Sequence, residues 1–222
     1  MSKVAESTRA RLVQAAEQLF AEKGIDAVSL REVNRASGAR NAVALQYHFD
    51  NRAGVLRAIL DKHLPDVEAG RHSMLDQYDR EGLDDLRVLA AALVGPMAAK
   101  LSDPDGGPEF LQIYADLVNR PQSVVGPVLN GAEPSLARWR ALVEPLLDEH
   151  ATRLHRRFTA VLHAAIELGR RARAEPHADE RLFVSWLIDV VVAILAAPVS
   201  DETRRLAGER DTARKAKRRS TH

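Results

Sequence analysis

Closely spaced helix signals in the first fifty residues constrain the fold of this chain more than any other feature. Apolar residues recur there with the period of an α-helix, which predicts a first helix that starts near Ser7. Gly24 ends this helix because glycine readily adopts the left-handed conformation that follows a helix. The residues on the apolar face are Leu12, Ala15, Ala16, Leu19 and Phe20.

Two short helices are predicted to follow the first, with a tight turn between them. Ser29 and Glu32 have the S-x-x-E spacing of a capping box, and Ser37-Gly38 ends the helix that this box starts. A third helix is expected from Asn41 to Phe49. A pair of short helices around a glycine-containing turn, with one more helix in front, indicates a three-helix helix-turn-helix module.

The rest of the chain is also predicted to be helical, with breaks rich in proline and glycine at 102–108 and 119–134. Further helices are expected over 52–64 (ending near Pro65), 83–100, 107–119, 135–148, 150–173 and 178–197. No alternating strand pattern of useful length occurs, so we predict an all-α fold. Its parts are the helix-turn-helix module (1–52), a helical body (53–203) and a basic tail (204–222), which we expect to be disordered beyond about residue 210.

Charge is divided unevenly along the chain, although the net charge is only +1. Residues 1–52 hold eight lysines and arginines against six acidic residues, 53–203 hold sixteen against twenty-three, and 204–222 hold eight against two. A polyanion would therefore meet the basic ends and not the acidic body. The absence of cysteine excludes disulfides and thiolate metal sites and fits a reducing compartment, so we expect a cytoplasmic protein.

The second helix of a helix-turn-helix lies in the major groove of DNA, with its first residues against the base edges. Leu45 and Phe49 are expected to anchor this helix on Phe20 and Leu30. The residues left to face DNA are Arg40, Ala42, Ala44, Gln46 and Tyr47. Arginine and glutamine can form paired hydrogen bonds with guanine and adenine, which makes Arg40 the preferred base-reading residue. Gln46 either reads a base or binds a phosphate. Asn41 either caps the helix or reads a base, and we favour capping.

Three stretches in the N-terminal quarter of the chain form one pattern: Thr8-Arg-x-x-Leu-Val-x-Ala-Ala-x-x-Leu-Phe-Ala-Glu-x-Gly24, Val28-Ser-Leu-Arg-x-Val33 and Leu45-x-Tyr-His-Phe-x-Asn-Arg-x-x-Val-Leu56. This pattern resembles the TetR (tetracycline repressor) family of bacterial transcriptional regulators. Two features depart from the family pattern. The turn before the third helix is one residue longer, and Gln46 stands where a tyrosine is usual.

The resemblance implies contacts with the DNA backbone from both ends of the module. Tyr47 matches a phosphate-contacting position, and His48 either contacts a phosphate or packs inside the module. Arg52 lies where the start of a fourth helix favours a phosphate, with a solvated surface arginine as the alternative. Thr8 and Arg9 match backbone-contacting positions at the start of the first helix, although Thr8 could serve only as a cap.

The body offers no catalytic motif, so we predict a protein that is not an enzyme and has no cofactor or metal site. Its aromatic residues and one acid within the apolar stretch 182–199 are candidates for an effector pocket or for a packed core. These residues are Phe110, Tyr114, Trp139, Phe158, Trp186 and Asp189. For Asp189 we favour a structural role, in which it bonds to Ser185 or to an arginine such as Arg157. We expect the whole stretch to form a buried helix and not a membrane span.

Together these features predict a homodimeric, one-component transcriptional regulator, and we favour a repressor. The helices at about 150–173 and 178–197 would pair with their copies, and the two-fold symmetry would match a palindromic operator in double-stranded DNA. An unknown small molecule bound in the C-terminal domain would modulate operator binding. The alternative is a DNA-binding scaffold that a protein partner regulates, without a small-molecule effector. The basic tail either adds non-specific DNA affinity or has no role.

Overall fold

The structure is a computed structural model that describes residues 3–39, 44–82, 84–121, 126, 128–129, 131, 133–175 and 177–219. Over these residues the chain is all-α, as predicted. The helices are α1 (Lys3–Lys23), α2 (Leu30–Ala36), α3 (Ala44–Phe49), α4 (Arg52–Glu81), α5 (Leu86–Ala98), α6 (Gly107–Val118), α7 (Pro134–Val143), α8 (Glu149–Arg153), α9 (Arg156–Arg173), α10 (Arg181–Ala196) and α11 (Asp201–Arg219). Short 3-10 turns extend α5 at Ala99–Ser102 and α7 at Glu144–Leu146.

The local signals at the start of the chain work as the sequence indicates. Gly24 follows α1 with φ +87°, in the left-handed region where glycine carries no steric penalty. The capping box at α2 is formed in both directions. The Ser29 hydroxyl accepts from the Glu32 backbone N–H at 3.2 Å, and the Glu32 carboxylate accepts from the Ser29 backbone N–H at 2.8 Å. These caps satisfy N–H groups that the first turn of a helix leaves without partners.

Helix α4 is much longer than predicted, because it continues through Pro65 to Glu81. Proline removes one backbone hydrogen bond from a helix. The apolar face nevertheless continues on both sides of Pro65, with Ile59 and Leu60 before it and Val67 and Leu75 after it, all buried. Burial of this continuous face outweighs the lost bond. The resulting 30-residue helix runs from the helix-turn-helix module into the body.

The body packs helices α4 to α7, α9 and α10 around one apolar core. Trp139 of α7 is fully buried, and its indole N–H donates to the Leu89 carbonyl of α5 at 2.7 Å. Helices α6 and α9 approach closely at Gly169, where a Cβ atom would lie 2.6 Å from the Cβ of Ala115. This glycine is therefore required by packing and not by backbone conformation.

The tail differs from its prediction, because α11 is helical from Asp201 to Arg219 and not disordered beyond residue 210. Its first turns carry ion pairs at helical spacing, including Arg204–Asp201 at 3.1 Å and Arg205–Glu202 at 2.7 Å. Ala207 is also buried. Pairs three and four residues apart stabilise an exposed helix even where it buries few side chains.

Among the described residues, no single helix is long and apolar enough to cross a membrane. Helix α10 and residues 201–213 meet that test only as a pair, with a bend of 57° between them.

Candidate nucleic-acid interface and body cavity

The end of α3 is fixed against the rest of the module by its last residue and by the turn that follows. Phe49 is buried in the core that α1, α2 and α4 share. Asp50 has φ +57°, and the Asn51 side chain accepts from the Gly54 N–H at 3.1 Å to cap α4. A Cβ atom at Gly54 would lie 2.0 Å from the Phe49 carbonyl oxygen. Only glycine allows this approach, so the angle between α3 and α4 is built into the sequence.

Tyr47 and His48 are polar rings in contact with each other at the end of α3. The Tyr47 side chain is exposed (82%), which is unusual for a tyrosine in a small packed module. Its ring meets the half-buried His48 ring edge-on at 5.2 Å. The exposed Tyr47 hydroxyl suits a contact to a phosphate oxygen. The Arg9 guanidinium of α1 lies over the buried Phe49 ring, 5.4 Å from its centroid.

Arg52 and Thr8, also predicted to meet the DNA backbone, have partners within the module. The Arg52 guanidinium donates to the Ile25 carbonyl in the loop between α1 and α2. Thr8 is half-buried, and its hydroxyl accepts from Arg11 at 3.4 Å. A guanidinium has five N–H donors, so the contact to Ile25 leaves donors for a phosphate. The link from Arg52 to the loop joins residues 27 positions apart and has no local sequence signal.

Arg40, Asn41 and Ala42, which were predicted to read a base, to cap the helix and to face DNA, lie outside the described residues, as do the side chains of Ala44 and Gln46. Their predicted roles stay predictions.

A buried acid joins the module to the body. The Glu17 side chain is 1% exposed, and its carboxylate lies 2.9 Å from Lys62 Nζ and 2.8 Å from His63 Nε2 of α4. Lys62 also pairs with Asp105, in the loop before α6, at 3.0 Å. Burial opposes the charge on Lys62, but the hydrogen bonds to Glu17 and Asp105 raise its pKa. The burial of Glu17 could have been inferred from the sequence, because Glu17 shares one helix face with the apolar residues Val13 and Phe20. Its partners in α4 could not.

The body contains a cavity of about 490 Å³ between α6, α7 and α9, within the range of small-molecule sites. Leu136, Val161 and Leu162 give it apolar walls, and Tyr114, Glu133 and Arg140 supply polar groups. Predicted pocket residues Tyr114 and Phe158 both line this body cavity.

Glu133 is a polar residue in the lining of the body cavity that no sequence pattern singled out. The Tyr114 hydroxyl donates to its carboxylate at 2.7 Å. Burial raises the pKa of Glu133 and, together with the charge of Glu133, raises the pKa of Tyr114 well above its usual range. A carboxyl group held in such surroundings can bind a hydroxyl or an amine of a ligand. Glu133 comes immediately before Pro134, outside any helical pattern in the sequence, so spacing did not predict its position.

A second polar network connects the same region to α4. The buried guanidinium of Arg71 donates to Glu68 at 3.1 Å and to the Ser135 hydroxyl at 2.9 Å. The Glu68 carboxylate in turn accepts from the Ser135 backbone N–H at 2.7 Å. Because Glu68 and Arg71 belong to α4, and Ser135 follows Glu133 by two residues, these hydrogen bonds connect the wall of the body cavity to α4.

The other four predicted pocket residues lie away from the lining of the body cavity. Phe110 is buried and stacks on His63 at 4.7 Å, and Trp139 fills the core. Trp186 is 46% exposed on α10, beside Phe183. Asp189 is also exposed and bonds to Arg87, which reaches Ser185 as well. Asp189 therefore pairs with an arginine, as favoured, but the arginine is Arg87. Arg157, named as an example of such a partner, pairs instead with Glu144 at 2.6 Å.

Within the described ranges, no group of three or more histidine, aspartate or glutamate side chains could hold a metal ion.

Known proteins with a similar N-terminal module are transcriptional regulators by name. Residues 12–59 match the family model "Bacterial regulatory proteins, tetR family". Two proteins of Pseudomonas putida are 33% identical over 57 residues: HTH-type transcriptional regulator TtgR and the protein named Probable HTH-type transcriptional regulator ArpR. The aligned stretch covers 26% of this chain and 27% of each relative, so the chain matches about a quarter of their length.

A solved structure extends the likeness in fold to most of the chain. It belongs to a Mesorhizobium loti protein classed with the TetR-family transcriptional regulators, and the two chains superpose with a TM-score of 0.50 at 16% identity. The superposition covers 88% of this chain and 98% of the other. Both Pseudomonas putida relatives are named as transcriptional regulators. The chain is therefore similar to the TetR family in residues 12–59 and to a TetR-family protein in the fold of most of its length.

Proposed function

We propose that the protein is a homodimeric, one-component transcriptional repressor in the cytoplasm, whose operator binding responds to a small molecule in the body cavity. The observation that carries the DNA-binding part is the match of residues 12–59 to the TetR family model, in a module that presents the exposed Tyr47 beside His48 and holds Arg9 over the Phe49 ring. These three side chains, with Arg52 and Thr8, position the module on the phosphate backbone. Arg40 and Gln46 read bases, with Ala42 and Ala44 allowing close approach and Asn41 capping the helix.

Dimerisation through α9 and α10 is supported by apolar side chains that a single chain leaves in water. Leu182 is 84% exposed and Phe158 52%, and Trp186 lies on the same pair of helices. Large apolar patches of this kind mark protein interfaces. A two-fold dimer carries two modules, so it binds half-sites separated by one or more helical turns of ~34–36 Å.

Modulation by an effector is supported by the position of the body cavity relative to α4. A ligand that bonds to Glu133 and packs on Val161 or Leu136 favours one arrangement of the cavity wall. The network of Ser135 with Glu68 and Arg71 passes that preference to α4, whose other end holds the DNA-reading module. Such a ligand changes operator affinity only by the ratio of its affinities for the two arrangements. The alternative, regulation by a protein partner alone, is less favoured because it requires no cavity in the body.

The DNA-binding proposal is tested by selecting duplexes from a random-sequence pool with the purified full chain and sequencing the bound fraction. We expect enrichment of an inverted repeat. On that repeat, Arg40→Ala should lose more affinity than on random DNA, whereas Tyr47→Phe should lose similar affinity on both, since phosphate contacts carry no sequence information. Failure to enrich any inverted repeat would contradict the proposal.

The dimer proposal is tested by sedimentation of Leu182→Glu beside the control Leu206→Glu, which changes an exposed leucine of α11. A charge buried in the apolar interface costs several kcal/mol, so Leu182→Glu should sediment as a monomer and the control as a dimer. A dimer in both cases would place the interface elsewhere.

The effector proposal is tested by screening small amphipathic molecules for a shift in melting temperature and for release of the selected duplex. A compound that binds should lose affinity in Glu133→Gln and in Ala137→Phe, which narrows the body cavity. If no compound shifts the melting temperature, regulation by a protein partner becomes the better account.

A further inference from the structure

A second cavity, of about 500 Å³, lies at the seam between the DNA-binding module and the body. We call it the seam cavity. The end of α1 and the loop after it form one side, with Phe20 and Ile25, and helices α6 and α9 form the other, with Ile113 and Ile166. Phe20, Ile25 and Ile113 are buried, so the floor of the seam cavity is apolar.

The rim of the seam cavity is cationic. Lys23, Arg120, Arg170 and Arg173 line it, against two acids, Asp26 and Asp116. Arg170 pairs with Glu167 at 2.9 Å on the outer side of α9. Arg173 is exposed and donates to the Gln112 side chain at 3.2 Å, and it has no carboxylate partner within the described part of the chain. An apolar floor under a rim with a cation available suits an organic anion.

Arg120 connects the seam cavity to the module. Its guanidinium meets both carboxylate oxygens of Asp26, at 3.0 and 2.8 Å, and Asp116 at 2.8 Å. Its buried Nε has no hydrogen-bond partner in the described structure. The hydrogen bond from Arg120 lowers the pKa of Asp26. Asp26 follows Ile25, whose carbonyl accepts from Arg52 at the start of α4.

The loop between α1 and α2 is thus held from two sides, by Arg120 of the body and by Arg52 next to the DNA-reading helix. Asp26 is exposed (77%), so its ion pair with Arg120 is open to exchange with a soluble anion.

We propose that the seam cavity binds a small carboxylate with an apolar body, which contacts Arg173 and competes with Asp26 for Arg120. The carboxylate lies at the cationic rim, and the hydrocarbon part lies on Ile113 and Phe20. Binding releases the Asp26 loop from the body. The consequence for operator affinity rests on the proposed DNA-binding function, but binding itself does not, so it is measured without DNA.

The probe is octanoate, titrated calorimetrically into the full-length protein, with neutral octanamide and inorganic phosphate as comparison ligands. We expect octanoate to bind more tightly than either, because only octanoate has both an anion and an apolar body. Arg173→Gln should weaken octanoate binding by at least about tenfold. Arg181→Gln, which removes an exposed arginine on another helix, should leave it unchanged. Equal binding of octanoate and octanamide would overturn the proposal.

A matched pair of filling variants locates the ligand. Ala27 and Ala137 are both exposed, and each lines only one of the two cavities. Ala27→Phe should weaken octanoate binding and Ala137→Phe should not. The reverse result would place octanoate in the body cavity and overturn the proposal.

Competition with Asp26 predicts that a third variant binds octanoate more tightly, opposite to the effect of the first two. Asp26→Asn removes the competing carboxylate, so we expect octanoate to bind several-fold more tightly to this variant than to the original protein. Unchanged or weaker binding would overturn the competition with Asp26. Each of these outcomes is independent of whether the protein binds an operator.

Discussion

Glu17→Gln should destabilise the protein by about 2–3 kcal/mol, because Glu17 is the buried acid that joins the module to the body. Removing one partner of a buried ion pair costs about 3–5 kcal/mol. Lys62, however, keeps its pair with Asp105 at 3.0 Å, and a glutamine still offers an amide oxygen to His63. Both facts place the loss at or below the lower end of that range.

The measurement is urea unfolding followed by circular dichroism, at one protein concentration, since dimerisation makes stability depend on concentration. A loss of this size corresponds to a fall in the unfolding midpoint of about 1 M urea. Glu22→Gln is the matched control, because Glu22 is an exposed residue of the same helix, and it should change stability by less than about 0.5 kcal/mol. If Glu17→Gln unfolds at the same urea concentration as Glu22→Gln, the ionic junction does not hold the module to the body.

Three further predictions concern stability. Burial raises the pKa of Glu133, so the native state keeps a proton that the unfolded chain loses near pH 4.5, and the free energy of unfolding falls as pH rises above that value. In Glu133→Gln, urea unfolding from pH 4.5 to 7 should show a smaller decline than in the original protein. An equal decline in both proteins would contradict this prediction. Trp139→Phe removes the donor to the Leu89 carbonyl and should cost about 2 kcal/mol in the same assay, with no loss counting against the bond. Ser29→Ala breaks the capping box and should cost about 1 kcal/mol; a stability equal to that of the original protein would show that the cap is dispensable.

The features that the sequence predicts well are those whose causes lie within a few residues. Gly24 ends α1, and Ser29 with Glu32 starts α2, because each contact spans at most one helical turn. The predicted end of α4 was wrong because a local signal was outweighed by contacts with distant residues. Pro65 is a local signal to stop, and it is outweighed by burial of Val67 and Leu75, which depends on the rest of the body.

The functional sites were harder to predict because their contacts join distant positions. Glu17 meets His63 across 46 positions, and Tyr114 meets Glu133 across 19. No spacing rule relates such pairs. Asp189 illustrates the same limit, since an arginine partner was expected for this acid, but the partner is Arg87, which lies 102 positions away.

If the protein acts as proposed, two copies of the N-terminal module read one DNA sequence together. The decisive measurement is the ratio of dissociation constants for a scrambled duplex and for the selected inverted repeat, obtained by fluorescence anisotropy at one physiological salt concentration. We expect a ratio of about a thousand or more, and we expect it to fall steeply when the repeat is cut to one half-site. A ratio near one, at the same salt, would contradict it.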